Sequence, residues 1–467
     1  MPTIRKVIGN PGTGKTKYLV DHTAGLIQSG IKPDEIAYLA FTKKAAQEAI
    51  ERLCAVTGHT QAEFKWVRTL HSMAFTTLGI KRDQMLSEAD YLFFLNSAGV
   101  TDQQEARQLQ QMHSLSRIAD IPLMDAWRRL QGSFPVPWTS LLEYDRIYKL
   151  TKSNLGKYDF GDLLENYLKN PLVPRLHTVI VDEGQDISSI QWDMIALISK
   201  KAQHLIIAGD PHQAIYQWCG ADSSLMTALD GEEVILPKSN RIPAPVQRAS
   251  RKVLAKFANP DRYPYEPASH PGMVKNMHRL NMHAFDLTKG TWMFLSRNEV
   301  FLNDVRSFLF ESGIAFESKG EWAKFTTDAK MLRLIEWYNA WLDTGEITPG
   351  KQEKLKAVCT NVEYCVVKNK PWFDAFDAIP ARDRRFLRSM LNGDANRITL
   401  STIHGSKGGE ADNVVLLGDF TRAVDEGFMK HSAAEWATLY VGMTRAKRNL
   451  YLIDPARRLG YNWRNLL

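Results

Sequence analysis

Gly9-Asn10-Pro11-Gly12-Thr13-Gly14-Lys15-Thr16 decides how this chain is read. The segment follows an apolar stretch, Ile4 to Ile8, and leads into residues that predict a helix starting near Thr16. Glycines at this spacing let successive backbone N–H groups turn inward, forming a cradle for the phosphates of a nucleoside triphosphate. Lys15 brings a positive charge to the terminal phosphates, and the Thr16 hydroxyl is suited to Mg2+. The surrounding strand-loop-helix order separates a phosphate loop from a chance glycine-rich turn.

Working outward, four further apolar runs end in polar turns: Glu35 to Ala40, Thr178 to Val181, Leu205 to Ala208 and Val414 to Leu417. They lack polar alternation, so they read as buried parallel strands of sheets covered on both faces by helices. Ligands of such sheets bind beyond the carboxyl ends of the strands. Between these strands lies a helical, aromatic-rich block from about 74 to 174, with a break predicted at Phe134-Pro135-Val136-Pro137-Trp138. A second helical interruption is expected from about 320 to 396, with a turn at Pro349-Gly350.

The 467 residues exceed what one hydrophobic core organises, and an apolar content of 44% is that of an ordinary globular protein. No run is long and apolar enough to span a bilayer, and a cytoplasmic protein is the expectation. The four cysteines, Cys54, Cys219, Cys359 and Cys365, show no zinc-site spacing and read as reduced thiols. A net charge of +7 leans weakly toward an anionic partner such as nucleic acid.

At the end of the Thr178–Val181 run stand two adjacent acids, Asp182 and Glu183. Asp182 suits Mg2+ held through its water shell, and Glu183 suits orienting and deprotonating the attacking water. The next strand ends at Gly209-Asp210-Pro211-His212-Gln213, where Gln213 has both donor and acceptor groups to sense a terminal phosphate. Tyr216 and Trp218 follow at once, and a nucleobase stacked on such a ring gains about 1 to 3 kcal/mol.

Taken in order, these segments resemble the UvrD/Rep family of superfamily 1 DNA helicases over nearly the whole chain. The likeness rests on the phosphate loop, Ala40-Phe41-Thr42-Lys43-Lys44-Ala45-Ala46, Thr69-Leu70-His71-Ser72 and Asp159-Phe160-Gly161-Asp162-Leu163-Leu164. It continues through Val181-Asp182-Glu183-Gly184-Gln185-Asp186, Gly209 to Ala221, Asn240-Arg241, Ser401 to Glu410 and Tyr440 to Lys447. The resemblance implies an α/β fold of two RecA-like P-loop NTPase domains with parallel sheets, each carrying a mainly helical insertion. The first core would take 1–73 and 175–235 with insertion 74–174; the second would take 236–319 and 397–467 with a reduced insertion, 320–396.

The same likeness implies roles for residues. Arg241 and Arg445 would be arginine fingers presented by the second RecA-like core to ATP held on the first, a device worth roughly 10^3 to 10^5 in rate. Glu410 would meet the nucleotide ribose, while Phe41, Thr42, His71, Tyr216, Trp218 and His404 would touch single-stranded DNA. For His71 and His404 a purely structural role stays open. ATP and Mg2+ are the implied cofactors. Single strands and single-strand/duplex junctions are the implied partners, with replication or repair proteins behind them.

The chain also departs from the family pattern. Few residues precede Gly9, so the family's adenine-reading glutamine segment is not expected there, while Asn240 stands where an aromatic is usual and Gly409 where a leucine is usual. Relaxed nucleotide choice is therefore expected. The basic run Arg382 to Arg388 reads as a solvated helix face, and no room is expected for a fused nuclease domain. The expected activity is a 3'-5' ATP-dependent DNA helicase. A translocase or protein-stripping motor without strong unwinding is the first alternative. An ATP-gated switch, or the ATPase subunit of a nuclease or defence complex, is the second.

Overall fold

The computed structural model describes residues 2–131, 136–318, 329–391, 397–461 and 463. The predicted break at Phe134-Pro135 and both ends of the predicted second insertion therefore lie outside the described residues. The chain divides into two compact units, the first built from 1–241, 254–268 and 430–437, the second from 242–253, 269–429 and 438–467.

The first unit contains a six-stranded sheet made of β1 (Thr3–Gly9), β2 (Ile36–Leu39), β3 (Val67–Arg68), β4 (Thr178–Val181), β5 (His204–Gly209) and β6 (Glu232–Leu236). Its order is β3-β2-β4-β5-β1-β6, and every pairing is parallel. All four residues of β2 and of β4 are buried, as unbroken apolar runs require when helices cover both faces. One face packs Val7, Tyr38, Ile180 and Ile206 against Leu19 and Val20 of helix α1 (Lys15–Gln28) and Ala46 of α2 (Lys43–Thr57). The other packs Ile8, Val179 and Ile207 against Leu70 of α3 (Leu70–Thr77), Leu163 and Tyr167 of the helix Phe160–Lys169, and Ile195 of the helix Ser189–Ser199.

Between β3 and β4 the chain is helical, as expected. Helices Glu88–Ser97, Gln103–Ile118, Leu123–Leu130 and Trp138–Leu155 enclose a separate small core of Phe94, Leu109, Met112, Leu141 and Tyr144.

The strand pair β7 (Lys238–Pro243) and β8 (Glu266–Ala268) follows the first sheet. The second unit holds another six-stranded parallel sheet: β9 (Met273–Met277), β10 (Trp292–Ser296), β11 (Glu317–Ser318), β12 (Ile398–Thr402), β13 (Ala411–Leu417) and β14 (Ala446–Ile453). The order is β11-β12-β10-β13-β14-β9. Phe294, Leu400 and Val415 form its core with Val305 and Leu309 of the helix Asn303–Glu311. The described part of 329–391 is helical, with its own core of Ile335, Tyr338, Leu355, Val362 and Phe376. The four cysteines are free thiols. Among the described residues no helix is long and apolar enough to cross a membrane.

Candidate nucleotide and nucleic-acid site

The phosphate loop leaves the carboxyl end of β1, with β5 and β6 on either side of that strand. Gly12 and Gly14 take φ of 75° and 87°, the left-handed region where a side chain is disfavoured. The Thr13 hydroxyl bonds the Asn10 carbonyl at 2.9 Å, and the Lys15 ammonium donates to the Gly9 carbonyl at 2.7 Å. Helix α1 starts at Lys15 without a side-chain cap, whereas α2 and α3 are capped by Thr42 and Thr69. The first amides of α1 thus lie where an anion can satisfy them.

Against this loop stands the strand that carries Arg241. Asn240 N–H donates to the Gly12 carbonyl at 2.8 Å, and the Pro11 carbonyl accepts the Ser239 hydroxyl at 2.9 Å and the Tyr265 phenol at 3.1 Å. Arg241 therefore lies beside Gly12 within the first compact unit and is not presented from the second, because its strand is hydrogen-bonded to the phosphate loop.

The acidic pair comes off the end of β4. Asp182 is buried; its Oδ2 accepts the Thr16 hydroxyl at 3.1 Å and the Tyr38 phenol at 2.9 Å, and its Oδ1 accepts Glu183 N–H at 3.0 Å. Burial, then the neighbouring Glu183 charge, pushes the Asp182 carboxyl up to about 6 against the pull of Tyr38, Lys15 and Thr16. Two crowded carboxylates beside a hydroxyl form an all-oxygen donor set, and a divalent cation relieves their repulsion. The residues present thus fit Mg2+.

Glu183 has a left-handed backbone at φ 58°, a strained conformation for a non-glycine residue of the kind found at functional sites. Its carboxylate accepts a hydrogen bond from the side-chain amide of Gln185. The Gln185 carbonyl accepts Asp210 N–H at 2.9 Å, and Asp210 Oδ2 accepts the Gln213 amide at 2.7 Å. Glu183 and Gln213, thirty residues apart in the chain, are therefore joined through two buried intermediaries, Gln185 and Asp210.

Among the residues expected to meet DNA, the Phe41 and Tyr216 rings stack with centroids 5.3 Å apart. Trp218 is 46% exposed in the turn Gln217–Cys219 that follows. His71 meets Phe160 edge-on at 5.7 Å, and burial lowers its proton affinity. The Thr42 hydroxyl accepts Ala45 N–H at 3.1 Å, a helix cap that accounts for this residue locally.

In the second unit, His404 opens the turn His404–Ser406 just after β12, and Glu410 is exposed immediately before β13. Arg445 is buried; its guanidinium donates to the Val441 carbonyl at 3.0 Å and the Gly409 carbonyl at 3.3 Å, next to Glu410.

Sequence reasoning assigned no role to Gln185, the Asp210 side chain, Tyr38, Ser239 or Tyr265. Tyr38 did carry a signal, as a hydroxyl in the otherwise aliphatic run Ile36-Ala37-Tyr38-Leu39. The other contacts join residues distant in sequence and become visible only once the strand order is known.

A phosphate loop on a parallel sheet, with its Thr16 bonded to an acid pair at the end of β4, defines the class: a P-loop nucleoside triphosphatase fold with a second RecA-like sheet. An AAA domain model matches residues 2–218, and a model of the UvrD-like helicase C-terminal domain matches 326–455. The chain belongs to the UvrD/Rep-like superfamily 1 helicase family. It is 28% identical over 51% of its length to a probable DNA helicase II homolog of Mycoplasma genitalium, and 30% identical over 46% to DNA helicase II of Escherichia coli. The ATP-dependent DNA helicase PcrA of Bacillus subtilis is 25% identical over 54% of the chain. The matched stretches span 37%, 32% and 38% of those three relatives.

Proposed function

We propose that this protein is an ATP-dependent DNA helicase that moves 3'-5' along single-stranded DNA and separates duplexes. The observation that carries this reading is the hydrogen-bonded run Glu183–Gln185–Asp210–Gln213, which ends three residues before Tyr216, the ring stacked on Phe41. Groups suited to hydrolysis and groups suited to stacking bases are thus joined by one hydrogen-bonded run across the turns after β4 and β5. A change at the triphosphate has a direct covalent and hydrogen-bonded route to a nucleobase platform.

In this reading the 9–14 loop and Lys15 hold the triphosphate of ATP, and Thr16 and Asp182 hold Mg2+. When bound, the cation screens the phosphate charge. Glu183 orients and deprotonates the attacking water, and Gln213 senses the terminal phosphate. Arg241 supplies a finger charge from beside the phosphate loop on the first unit, Arg445 supplies one as the two RecA-like lobes close, and Glu410 takes the ribose. Phe41, Thr42, His71, Tyr216, Trp218 and His404 line the path of the strand. The helical segments 74–174 and 320–396 are read as insertions in the two cores, and DNA junctions as the working substrate.

The test is ATP turnover with and without single-stranded DNA of increasing length, joined to unwinding of matched duplexes carrying a 3' or a 5' tail. Turnover is expected to rise many-fold with the strand, and the 3'-tailed duplex to be opened. Binding should weaken steeply with salt as phosphate contacts are lost. Identical turnover with and without a strand would sink the proposal, whereas DNA stimulation without unwinding would reduce it to a translocase.

A further inference from the structure

Tyr38 lies on β2, one strand in from the edge of the first sheet, fully buried and in register with Ile180 on the neighbouring strand β4. Side chains two apart on a strand share a face, so Asp182 emerges on the same side as Ile180 and Tyr38. That face is the one covered by α1, where Leu19 and Val20 lie one helical turn beyond Thr16. The three hydroxyl and carboxylate groups therefore converge from three different elements: Tyr38 from β2, Thr16 from α1 and Asp182 from the end of β4.

The result is a carboxylate with little rotational freedom. Oδ2 accepts both hydroxyls, at 2.9 Å from Tyr38 and 3.1 Å from Thr16, while Oδ1 accepts the Glu183 N–H at 3.0 Å. Packing alone does not call for the phenol oxygen. Phenylalanine would fill the same space among Val7, Leu19 and Ile206, and a buried hydroxyl is unfavourable unless it is bonded. Among the described residues its hydrogen-bond partner is the carboxylate oxygen that also accepts the Thr16 hydroxyl.

We infer that Tyr38 is a positioning residue for the metal-nucleotide site, fixing the Asp182 carboxylate in the orientation that receives Mg2+. The inference rests on the reading of Thr16 and Asp182 as the metal-holding pair. Groups that orient a metal-holding side chain typically change metal affinity by about 10- to 100-fold when removed. The phenol also acts from the sheet interior, out of reach of the triphosphate, so its loss should register in the metal dependence and not in metal-free nucleotide binding.

The experiment compares the full chain with its Tyr38→Phe and Asp182→Asn variants, titrating Mg2+ against binding of a fluorescent ADP analogue and repeating the binding in EDTA. For Tyr38→Phe the Mg2+ midpoint should rise about tenfold or more, with binding in EDTA unchanged and the thermal unfolding transition retained. An unchanged midpoint in Tyr38→Phe, or equal weakening with and without Mg2+, overturns the inference. If Asp182→Asn shifts the midpoint and Tyr38→Phe does not, only the role of Tyr38 falls. If neither variant shifts it, the metal reading of Asp182 falls as well.

Discussion

The side-chain carbonyl of Gln185 accepts the backbone N–H of Asp210 at 2.9 Å. This bond ties the turn after β4 to the turn after β5, and the remaining end of the same amide donates to Glu183. One buried side chain thereby fixes the proposed water-activating carboxylate against the strand end that carries Gln213. Gly209 leaves the room for it, since a Cβ there would fall 2.6 Å from Gln185 Oε1.

Gln185→Leu keeps approximate volume and removes both hydrogen bonds. A misplaced general base loses about 10^2-fold in rate, so turnover of ATP should fall by roughly that factor with nucleotide affinity little changed. In a Glu183→Gln background the same change should add little, because both substitutions remove one function. Steady-state kinetics of the two single variants and the double variant decide this. Fully additive losses would show that Gln185 acts independently of Glu183.

Trp218 offers an exposed indole directly after the stacked Phe41–Tyr216 pair. Loss of one stacked base costs about 1 to 3 kcal/mol, which is roughly 5- to 150-fold in affinity for the strand. Trp218→Ala should therefore raise the single-stranded DNA concentration needed for half-maximal ATPase stimulation by that range. Turnover measured without DNA should stay close to wild type. Equal losses in both measurements would remove the residue from a stacking role.

The parts of this molecule legible in sequence are those written locally. The runs Ile36–Leu39 and Thr178–Val181 are unbroken and apolar because their strands are buried on both faces, and the phosphate loop needs its glycines at fixed positions within one short segment. Edge strand β6 escaped notice because Glu232 and Glu233 break its apolar pattern, and β14 because Lys447, Arg448 and Asn449 open it. The network around Glu183 was illegible for a different reason. Gln185 reaches Asp210 across 25 positions, and Tyr265 reaches Pro11 across 254, through a strand order, β3-β2-β4-β5-β1-β6, that local pattern does not encode. Asp182 and Glu183 were visible as acids at a strand end; the groups that aim them were not.

Acid should weaken the first unit through Asp159. Its carboxylate caps the helix Phe160–Lys169 and accepts from Arg117, Tyr148 and, at 3.1 Å, Lys152. Burial favours its neutral form, but the Arg117 and Lys152 charges outweigh burial and hold the carboxyl down at about 2, below the unfolded value of about 3.9. A depressed carboxyl stabilises fully above the unfolded value, and that contribution, about 2 to 3 kcal/mol, disappears as pH falls through about 2. In denaturant unfolding, wild type should exceed Asp159→Asn most at neutral pH, with the gap closing between about pH 4 and pH 2. A gap constant over that interval would mean the carboxylate charge contributes nothing.

Gly12 and Gly30 separate backbone strain from collision. Both have positive φ, 75° and 99°, so alanine at either position carries a left-handed penalty of about 1 to 2 kcal/mol. At Gly30 nothing lies within 4 Å of the added methyl, and the penalty should stop there. At Gly12 the methyl would fall 2.4 Å from Arg241 Cβ and 2.8 Å from Ser239 Oγ, so either the loop or the strand bonded to it must move. The loop is held by Asn240 N–H on the Gly12 carbonyl and by two hydroxyls on the Pro11 carbonyl, and its displacement misaims the amides meant for phosphate. Gly12→Ala should thus lose nucleotide binding about tenfold or more, while Gly30→Ala loses only stability. Calorimetric nucleotide titration and denaturant unfolding of both variants give the comparison, and matching behaviour at the two positions would refute the clamp on the phosphate loop.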